Sequence, residues 1–436
     1  MNRLSYLVFV MRVEYEELYE AYLDCRKHKR SSRNCQAFEI DVTRNLFLLW
    51  KELNNGTYKI GRSIAFIVHH PKDREVFAAD FRDRIVHHLV VRRIERLLDK
   101  EFIEDSYSCR KGKGTLYGIR RCEMHMRECS DNYTKHCYVL KGDLKSFFMT
   151  INKTLLFQRI CRLLEEKGDF DQDTLCFMEH IIQLIVFNRP QDNCIFKQPI
   201  SEWLCLPKDK SLLNNDANHG LPIGNLTSQI FANLFLSDFD HFVREVLGFV
   251  HYGRYVDDFY IVSESKEKLL EALPKIQAYL QNIDVTLHPK KIYLQMVQRG
   301  VQFLGQNIKQ YGTLIARRSV GSLYGKLYHF NRYIVWHNIN EQAISREDME
   351  YMISSINSYY GYLRQANSYK LRKKIAHSEL MMPLLTYAHF DKNYTKLIKN
   401  KDNEKSKNHK GVNNRAGYCS HSANCCRLFR SSNGNN

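Results

Sequence analysis

No long hydrophobic run occurs in this sequence. The one early apolar stretch, Leu4 to Met11, is too short to span a bilayer and lacks the small-residue pattern of a signal-peptide cleavage site. The thirteen cysteines are scattered, odd in number and without a CxxC spacing or a disulfide-like framework, which is typical of a reducing compartment. We therefore expect a cytoplasmic protein with no membrane partner.

Acidic residues are in deficit. The chain has 65 Lys and Arg against 48 Asp and Glu, which gives a formal net charge of +17. General solubility is one explanation, but such an excess more often reflects a polyanionic partner. After Tyr394 the composition shifts to Lys, Asn and Ser, which predicts a disordered basic tail over residues 393–436.

Two adjacent aspartates, Asp257 and Asp258, lie between short apolar runs within residues 253–262. The pattern predicts two short strands joined by a tight turn, with the acids at its tip. Neighbouring carboxylates repel each other, and burial adds a desolvation cost that a hard divalent cation such as Mg²⁺ would remove. A solvated hairpin turn is the alternative for this stretch alone.

A further acid, Asp143, ends a second apolar run over residues 138–143, before a helix expected to begin near Asn152. Two strands that each end in a carboxylate can bring the acids to one edge of a sheet. Such a cluster could hold two metal ions roughly 3.5–4 Å apart for in-line phosphoryl transfer.

A Gly/Pro turn over residues 220–229 then opens an amphipathic helix. Its apolar spacing predicts one helix from Thr227 or Ser228 to Leu247, ended by Gly248. Near the start of the chain, residues 14–54 predict two helices around a basic loop at 26–33.

The order of these segments resembles motifs A, B and C of reverse transcriptases. The residues that carry the resemblance are Asp143, then Gly220-Leu221-Pro222-Ile223-Gly224, then Tyr255-Val256-Asp257-Asp258. Pro289-Lys290-Lys291 is similar to motif D, Phe303-Leu304-Gly305 to motif E, and residues 74–84 and 106–110 to the fingers motifs. The resemblance covers about residues 55–310, and extends more loosely over 315–390.

The resemblance implies an α+β protein with the right-hand polymerase fold: fingers, a palm of antiparallel sheet plus helices, and a helical thumb. The expected divisions are an N-terminal helical segment 1–54, fingers 55–130, palm 131–314, thumb 315–392 and tail 393–436. Residues 160–218 are only partly assigned.

It also implies an RNA-directed DNA polymerase that uses deoxynucleoside triphosphates, an RNA template and a DNA or RNA primer. Two Mg²⁺ ions, with Mn²⁺ as a possible substitute, would be the cofactor. Asp143 and Asp257 would be bridging ligands, Asp258 an auxiliary ligand, and the carbonyl of Leu144 an additional one. Lys290 or Lys291 would protonate the departing pyrophosphate, and Lys291 is the candidate we take as catalytic.

Further residues are assigned to substrates by the same resemblance. Lys72 and Arg74 would clamp the incoming nucleotide, although a solvated loop is an alternative there. Phe148, five residues after Asp143, would be the steric gate against ribonucleotides, with core packing as its alternative. The remaining candidates for contacts to the nucleotide are Ile223, Gly224 and Gln229. The candidates for contacts to the template or primer are Arg82, Arg84 and Gly305.

Two positions depart from most reverse transcriptases, which carry Gln at Ile223 and Pro at Gln229. In this the stretch 221–229 resembles enzymes of diversity-generating retroelements, which copy a template RNA with errors at adenines and work with a small accessory variability protein. A retron-like or defence reverse transcriptase is the alternative, and a non-catalytic nucleic-acid-binding protein is a third. The tail over 412–424 resembles a translated template repeat; a zinc site at its cysteines fits no standard spacing.

Overall fold

The computed structural model describes residues 12–27, 29–69 and 72–400. Leu4–Met11, and the repeat-like and cysteine-containing stretches after residue 400, lie outside the described residues. Two compact units are present: the first runs to Leu323 and adds Tyr362–Ser368, and the second comprises Tyr324–Gly361 and the described residues from Tyr369 on. Within the described ranges, no helix has both the length and the apolar content needed to cross a membrane.

Three helices, not the two predicted, form the N-terminal segment. They are α1 (Tyr15–Arg26), α2 (Arg33–Glu39) and α3 (Val42–Asn54). The additional helix α2 is stabilised by tertiary contacts, because Glu39 accepts hydrogen bonds from the Tyr22 hydroxyl at 2.8 Å and from Arg26 at 2.7 Å. Composition alone does not reveal such long-range partners.

An antiparallel pair of strands follows. It consists of β1 (Ser63–Val68) and β2 (Arg74–Ala78), and it is followed by the helices α4 (Phe81–Glu101) and α5 (Thr115–Cys129). The α4 helix begins at an aspartate cap, because the Asp80 side chain accepts the Arg82 N–H. Its apolar side chains face the main hydrophobic core.

Asp143 is the last residue of β3 (Tyr138–Asp143). The chain then forms the short helix α6 (Phe147–Thr150) and two longer helices, α7 (Lys153–Lys167) and α8 (Gln172–Phe187). Asn152 caps α7 by accepting the Leu155 N–H, which confirms the helix start predicted near Asn152.

Residues 188–215, here called the connecting segment, belong to the region that the sequence left partly unassigned. Its strand β4 (Cys194–Phe196) pairs in parallel with β1, so that the N-terminal sheet has the order β2-β1-β4. The short helix α9 (Ser201–Leu204) and two single turns, Lys208–Lys210 and Leu212–Asn214, follow.

The predicted helix from Thr227 or Ser228 to Leu247 is interrupted. It consists of α10 (Leu226–Phe235), α11 (Ser237–His241) and a π-helical turn, Phe242–Val246. The break occurs where the Leu236 N–H bonds to the Asn233 carbonyl three residues back, which tightens the backbone locally. Gly248 has φ +74°, so the predicted left-handed end of this helical stretch is confirmed.

The central sheet has the order β5-β6-β3-β7 and is antiparallel at all three pairings. Its remaining elements are β5 (Tyr252–Tyr255), β6 (Asp258–Ser263), the helix α12 (Lys266–Gln281) and β7 (Tyr293–Met296). Leu140 and Ile261 face the main core, while Val139 and Val262 face a second apolar cluster. Burial on both faces fixes the strand register.

A three-stranded sheet follows, formed by β8 (Val301–Phe303), β9 (Gln306–Lys309) and β10 (Gly312–Ile315). The β8–β9 turn has positive φ at both central residues, +49° at Leu304 and +80° at Gly305, which is the pattern of a type I′ hairpin. Gly305 also accepts hydrogen bonds at its carbonyl from the Tyr362 hydroxyl, at 2.7 Å, and from the Ala316 N–H.

The last elements are mostly helical, as predicted for residues 315–392. They are α13 (Arg317–Ile339), α14 (Arg346–Leu363), α15 (Tyr369–Ala376), α16 (Met382–Leu385), and the strand pair β11 (Ala388–Phe390) and β12 (Leu397–Lys399).

The prediction of a disordered tail from residue 393 is wrong for its first eight residues, 393–400. Leu397 is buried, and both its N–H and its carbonyl bond to the Asn357 side chain, at 2.7 and 2.9 Å. The buried Leu397 side chain and the residue's two hydrogen bonds to Asn357 therefore hold in place a segment whose composition is otherwise polar.

Candidate active site

The Asp257-Asp258 hairpin has the predicted geometry. Tyr255 lies opposite Asp258 in the β5–β6 register, so that only Val256 and Asp257 form the turn. Val256 has φ +55°, an uncommon conformation for a β-branched residue and a sign of local strain. Asp143 lies directly opposite Asp258 in the β3–β6 register. The three aspartates thus meet at one edge of the central sheet, as predicted.

Two carboxylates at this edge, Asp257 and Asp258, are costly to ionise. Burial raises the pKa of Asp257, and the neighbouring charge of Asp143 raises it further. Burial also raises the pKa of Asp258, to about 6, although Lys141 opposes the shift. The aspartates destabilise one another, and each gains from any nearby positive charge.

Two lysines provide such charge. Lys141 Nζ lies 2.6 Å from Asp258 Oδ1, and Lys291 Nζ lies 2.5 Å from Asp143 Oδ1. Lys290, by contrast, is exposed, and the hydrogen bond found for it joins its backbone N–H to His288. Of the two candidate lysines, Lys291 is the one in contact with the acid cluster.

The donor set fits a hard divalent cation in its chemistry. Asp143 and Asp257 offer carboxylate oxygens in a setting that disfavours uncompensated negative charge, which is what Mg²⁺ prefers. Across residues 12–27, 29–69 and 72–400, no group of three or more His, Cys, Asp and Glu side chains is preassembled as a metal site. The Leu144 N–H donates to the Asp257 carbonyl at 2.9 Å and so ties the end of β3 to the hairpin turn.

A cavity of about 550 Å³ lies beside this edge. Asp257 and Leu144 line it, and so do most of the residues that the sequence predicted for nucleotide binding. Those residues are Lys72, Arg74, Phe148, Ile223 and Gln229, and the predicted catalytic residue Lys291 also lines the cavity. Gly224, Arg82, Arg84 and Gly305 are not part of its lining.

Several basic side chains line the cavity. Lys72, Arg74, Lys210 and Lys291 all line it. Partial burial lowers the pKa of the Lys72 amine, as do the nearby charges of Lys291 and Lys210. A cavity of this kind favours an anionic ligand.

Gly224 shapes the cavity without lining it. It has φ +120°, and a Cβ atom there would lie 2.7 Å from Val76 Cγ1. The close approach lets the Ile223 carbonyl accept the Phe77 N–H, while the Asn225 side chain accepts the Ala79 N–H. These bonds fix the turn against β2 and hold the Ile223 side chain at the cavity.

Phe148 and Gln229 have different surroundings. Phe148 is half-buried and packs edge-on against Phe147, with ring centroids 5.8 Å apart. Gln229 is exposed, and its Oε1 accepts a hydrogen bond from the Cys109 thiol at 3.1 Å. Cys109 was not among the predicted site residues.

Arg82 and Arg84 have protein partners in this structure. Arg82 pairs with Glu52 and lies 5.1 Å from the Tyr58 ring centroid, while Arg84 donates to the Ala79 carbonyl. Their predicted template or primer contacts, and that of Gly305, stay predictions.

A buried ion pair supports the hairpin from behind. Both Arg254 and Asp240 are fully buried, and two bonds of 2.6 and 2.7 Å join them. Arg254 also donates to the Val256 carbonyl at 3.0 Å, and Asp240 accepts the Tyr252 hydroxyl at 2.6 Å. Sequence reasoning missed this pair, because Asp240 lies on a helix and nothing local links it to Arg254.

Comparison with known proteins adds to this geometry. A family model described as reverse transcriptase (RNA-dependent DNA polymerase) matches residues 72–308, which is more than half of the chain. Protein YkfC of Escherichia coli (strain K12) is 22% identical over 298 residues, covering 60% of this chain and 71% of that protein. The chain belongs to the reverse transcriptase family, and its α+β fold is the one expected for that family.

Solved telomerase structures are also similar. Apo telomerase from Candida tropicalis, truncated from the C-terminal domain, is 13% identical at a TM-score of 0.43, covering 59% of this chain and 55% of that chain. Telomerase from Candida albicans, in complex with a TWJ fragment of telomeric RNA, is 9% identical at a TM-score of 0.45, covering 77% and 56%. The present chain thus spans little more than half the length of these telomerase chains.

Proposed function

We propose that this protein is an RNA-directed DNA polymerase. Its reaction is attack of a primer 3′-hydroxyl on the α-phosphorus of a deoxynucleoside triphosphate, with release of pyrophosphate. The observation that supports this most directly is the pairing of an acidic edge, Asp143 and Asp257, with a cavity lined by Lys72, Arg74 and Lys291. Carboxylates can hold the metal ions that assist phosphoryl transfer, and basic side chains can bind the oxygens of the triphosphate.

Asp143 and Asp257 would hold two Mg²⁺ ions, with Asp258 and the Leu144 carbonyl as further ligands. Bound there, the ions would neutralise phosphate charge and lower the pKa of the primer hydroxyl. Basic side chains of the protein would compensate the remaining negative charge of the triphosphate. Lys72 and Arg74 orient the triphosphate by contacts to its oxygens.

Lys291 supplies the proton for the leaving group in this proposal. Its Nζ lies at the acid cluster and lines the cavity, whereas Lys290 is exposed and does not line it. As the bond between the α-phosphorus and the bridging oxygen breaks, the ammonium transfers a proton to that oxygen. Phe148 lines the cavity wall and excludes a 2′-hydroxyl by contact.

The finer proposal is that the enzyme copies its template with errors, as part of a diversity-generating retroelement with an accessory variability protein. Ile223 supports it, because this apolar side chain lines the cavity where most relatives carry a glutamine. An apolar side chain makes no hydrogen bond to the nascent base pair, so that discrimination there rests on shape.

Primer extension on an RNA template tests the polymerase proposal. We expect Asp143→Ala and Asp257→Ala to abolish Mg²⁺-dependent DNA synthesis, because each removes charge stabilisation worth several kcal/mol at the reacting phosphate. The matched control is Asp169→Ala, which removes an exposed acid far from these motifs in the sequence and should leave synthesis unchanged. Full activity in either active-site variant would refute the site assignment.

A further inference from the structure

The connecting segment, residues 188–215, is an integral part of the N-terminal sheet. Besides the β4–β1 pairing, the Gln198 side chain accepts the Ile67 N–H at 2.7 Å and donates to the Ile67 carbonyl at 3.1 Å. The buried Trp203 packs in an apolar cluster with Ala65 and Phe77. The segment is therefore held in place by the strands that precede Lys72 and follow Arg74.

Glu75 fixes the part of the segment nearest to the cavity. This carboxylate is buried and accepts the Ser211 hydroxyl at 2.6 Å and the Leu212 N–H at 2.7 Å. Burial raises its pKa, and the two hydrogen bonds partly offset that cost. Lys210 immediately precedes this anchored pair.

A second contact holds the same turn from the other side. Asp209 accepts the Ser146 hydroxyl at 3.0 Å and lies 3.6 Å from Lys145 Nζ. The ion-pair partner of Asp209 is thus Lys145 and not its chain neighbour Lys210. Within the part of the chain that the structure describes, Lys210 forms no ion pair, and its side chain lines the cavity.

We propose that Lys210 is an additional binding residue for the triphosphate of the incoming nucleotide, contributed by the connecting segment. The inference rests on the proposed function and extends it. Lys210 joins Lys72, Arg74 and Lys291 around one cavity, and a triphosphate offers the anionic oxygens that these cations can bind together. A flexible ammonium on a firmly held turn can follow phosphate oxygens as the substrate enters.

The test compares Lys210→Ala with Lys208→Ala. Lys208 is in the same turn, carries the same charge and is also exposed, but it does not line the cavity. The probe is a non-hydrolysable deoxynucleoside triphosphate analogue, titrated into the full chain with template and primer bound. We expect Lys210→Ala to weaken binding about tenfold, and Lys208→Ala to change it by less than about twofold.

Steady-state kinetics supply a second measurement. Lys210→Ala should raise KM for the nucleotide while kcat changes little, and Lys210→Arg should restore most of the affinity. Inorganic tripolyphosphate should compete with the analogue on the wild type, and more weakly on Lys210→Ala.

The two proposals fail in different ways. A wild-type protein that neither binds the analogue nor extends a primer refutes the polymerase function. A wild type that does both, together with equal affinities for the Lys210 and Lys208 variants, refutes the role of Lys210 alone. Both lysines are exposed, so that thermal melting should find both variants folded.

Discussion

Arg254 is a fully buried cation two residues before the strained Val256. Such a charge is tolerated only when it is paired and hydrogen-bonded, and removing one partner leaves the other charge without compensation. We expect Arg254→Met to lower the free energy of unfolding by about 3–5 kcal/mol. Urea denaturation measures the loss.

The control for that variant is Lys135→Ala, which removes an exposed ion pair with Asp131 and should cost less than about 1 kcal/mol. Combining Arg254→Met with Asp240→Leu should recover most of the stability, because no unpaired charge then remains. A double variant as unstable as Arg254→Met alone would contradict this explanation.

In the proposed function, Ile223 is the residue that links the cavity to copying errors. Replacing it by glutamine adds an amide that can hydrogen-bond near the nascent base pair, at about 1 kcal/mol per bond. We expect Ile223→Gln to lower misincorporation opposite template adenine about fivefold in primer extension. Ile223→Val, which keeps the cavity apolar, is the matched control; an error rate for Ile223→Gln no lower than the control's would remove the link.

The acids of the site could be predicted from sequence, whereas their partners could not. Asp143 and Asp257 stand at the ends of apolar runs, a local pattern. Lys141 meets Asp258 only through the β3–β6 register, and Lys210 reaches the cavity only through β4 and Glu75. Contacts that depend on long-range strand pairing produce no local sequence pattern, so they could not be predicted from the sequence.

At the scale of elements, the strand pair β11–β12 depends on residues 397–399, which lie inside the tail that the composition predicted to be disordered. Deleting residues 393–436 exposes the partners of Leu397 and leaves the Asn357 amide unpaired. We expect this deletion to destabilise the second unit by about 2–4 kcal/mol. Deleting only residues 410–436 retains β12 and should leave the unit's stability unchanged.

Thermal melting and amide hydrogen exchange of Tyr324–Gly361 measure the difference. If both deletions behave alike, β12 contributes nothing to stability. The polymerase proposal is independent of that result, and the shorter deletion should also leave primer extension nearly unchanged when the RNA is supplied separately.

Helices and strands differ in how far the sequence predicts them. The apolar periodicity of α10 and the apolar runs that form β3, β5 and β6 are local signals, and these elements begin where expected. The π-helical turn at Phe242–Val246 and the helix α2 follow from tertiary contacts, so that periodicity could not reveal them.

At the scale of the whole molecule, two buried histidines, His87 and His125, make the stability of the fold depend on pH. Burial lowers the pKa of His87 to about 3 and that of His125 to about 4. His87 contacts Thr227 and faces Arg84 and His88, while the groups around His125 are Asp105, Arg121, Arg244, His251 and Tyr260.

These folded-state pKa values are below that of an unfolded histidine, near 6.5. Each neutral buried histidine therefore contributes its full stabilisation of the folded state above pH 6.5. This contribution to the free energy of unfolding is lost as the pH falls, by about 2 kcal/mol per histidine at pH 5. Urea unfolding at pH 7.5 and pH 5 checks this. A His87→Gln/His125→Gln variant should lose less stability between the two pH values than the wild type; an equal loss in both would show that other groups dominate.

The parallel pairing of β4 with β1 has a consequence for the order of folding. Ile67 and Gln198 bond across 131 residues of chain. At a synthesis rate of about 5–20 residues per second, roughly 7–26 s pass between the synthesis of β1 and that of β4, its second neighbour in the sheet. During that interval β1 and β2 are an incomplete hairpin with an open edge, and the central strand β3 emerges before the edge is closed. Because its lining extends to Lys291, the cavity can thus assemble only after β4 and the hairpin of β5 and β6 have also been synthesised.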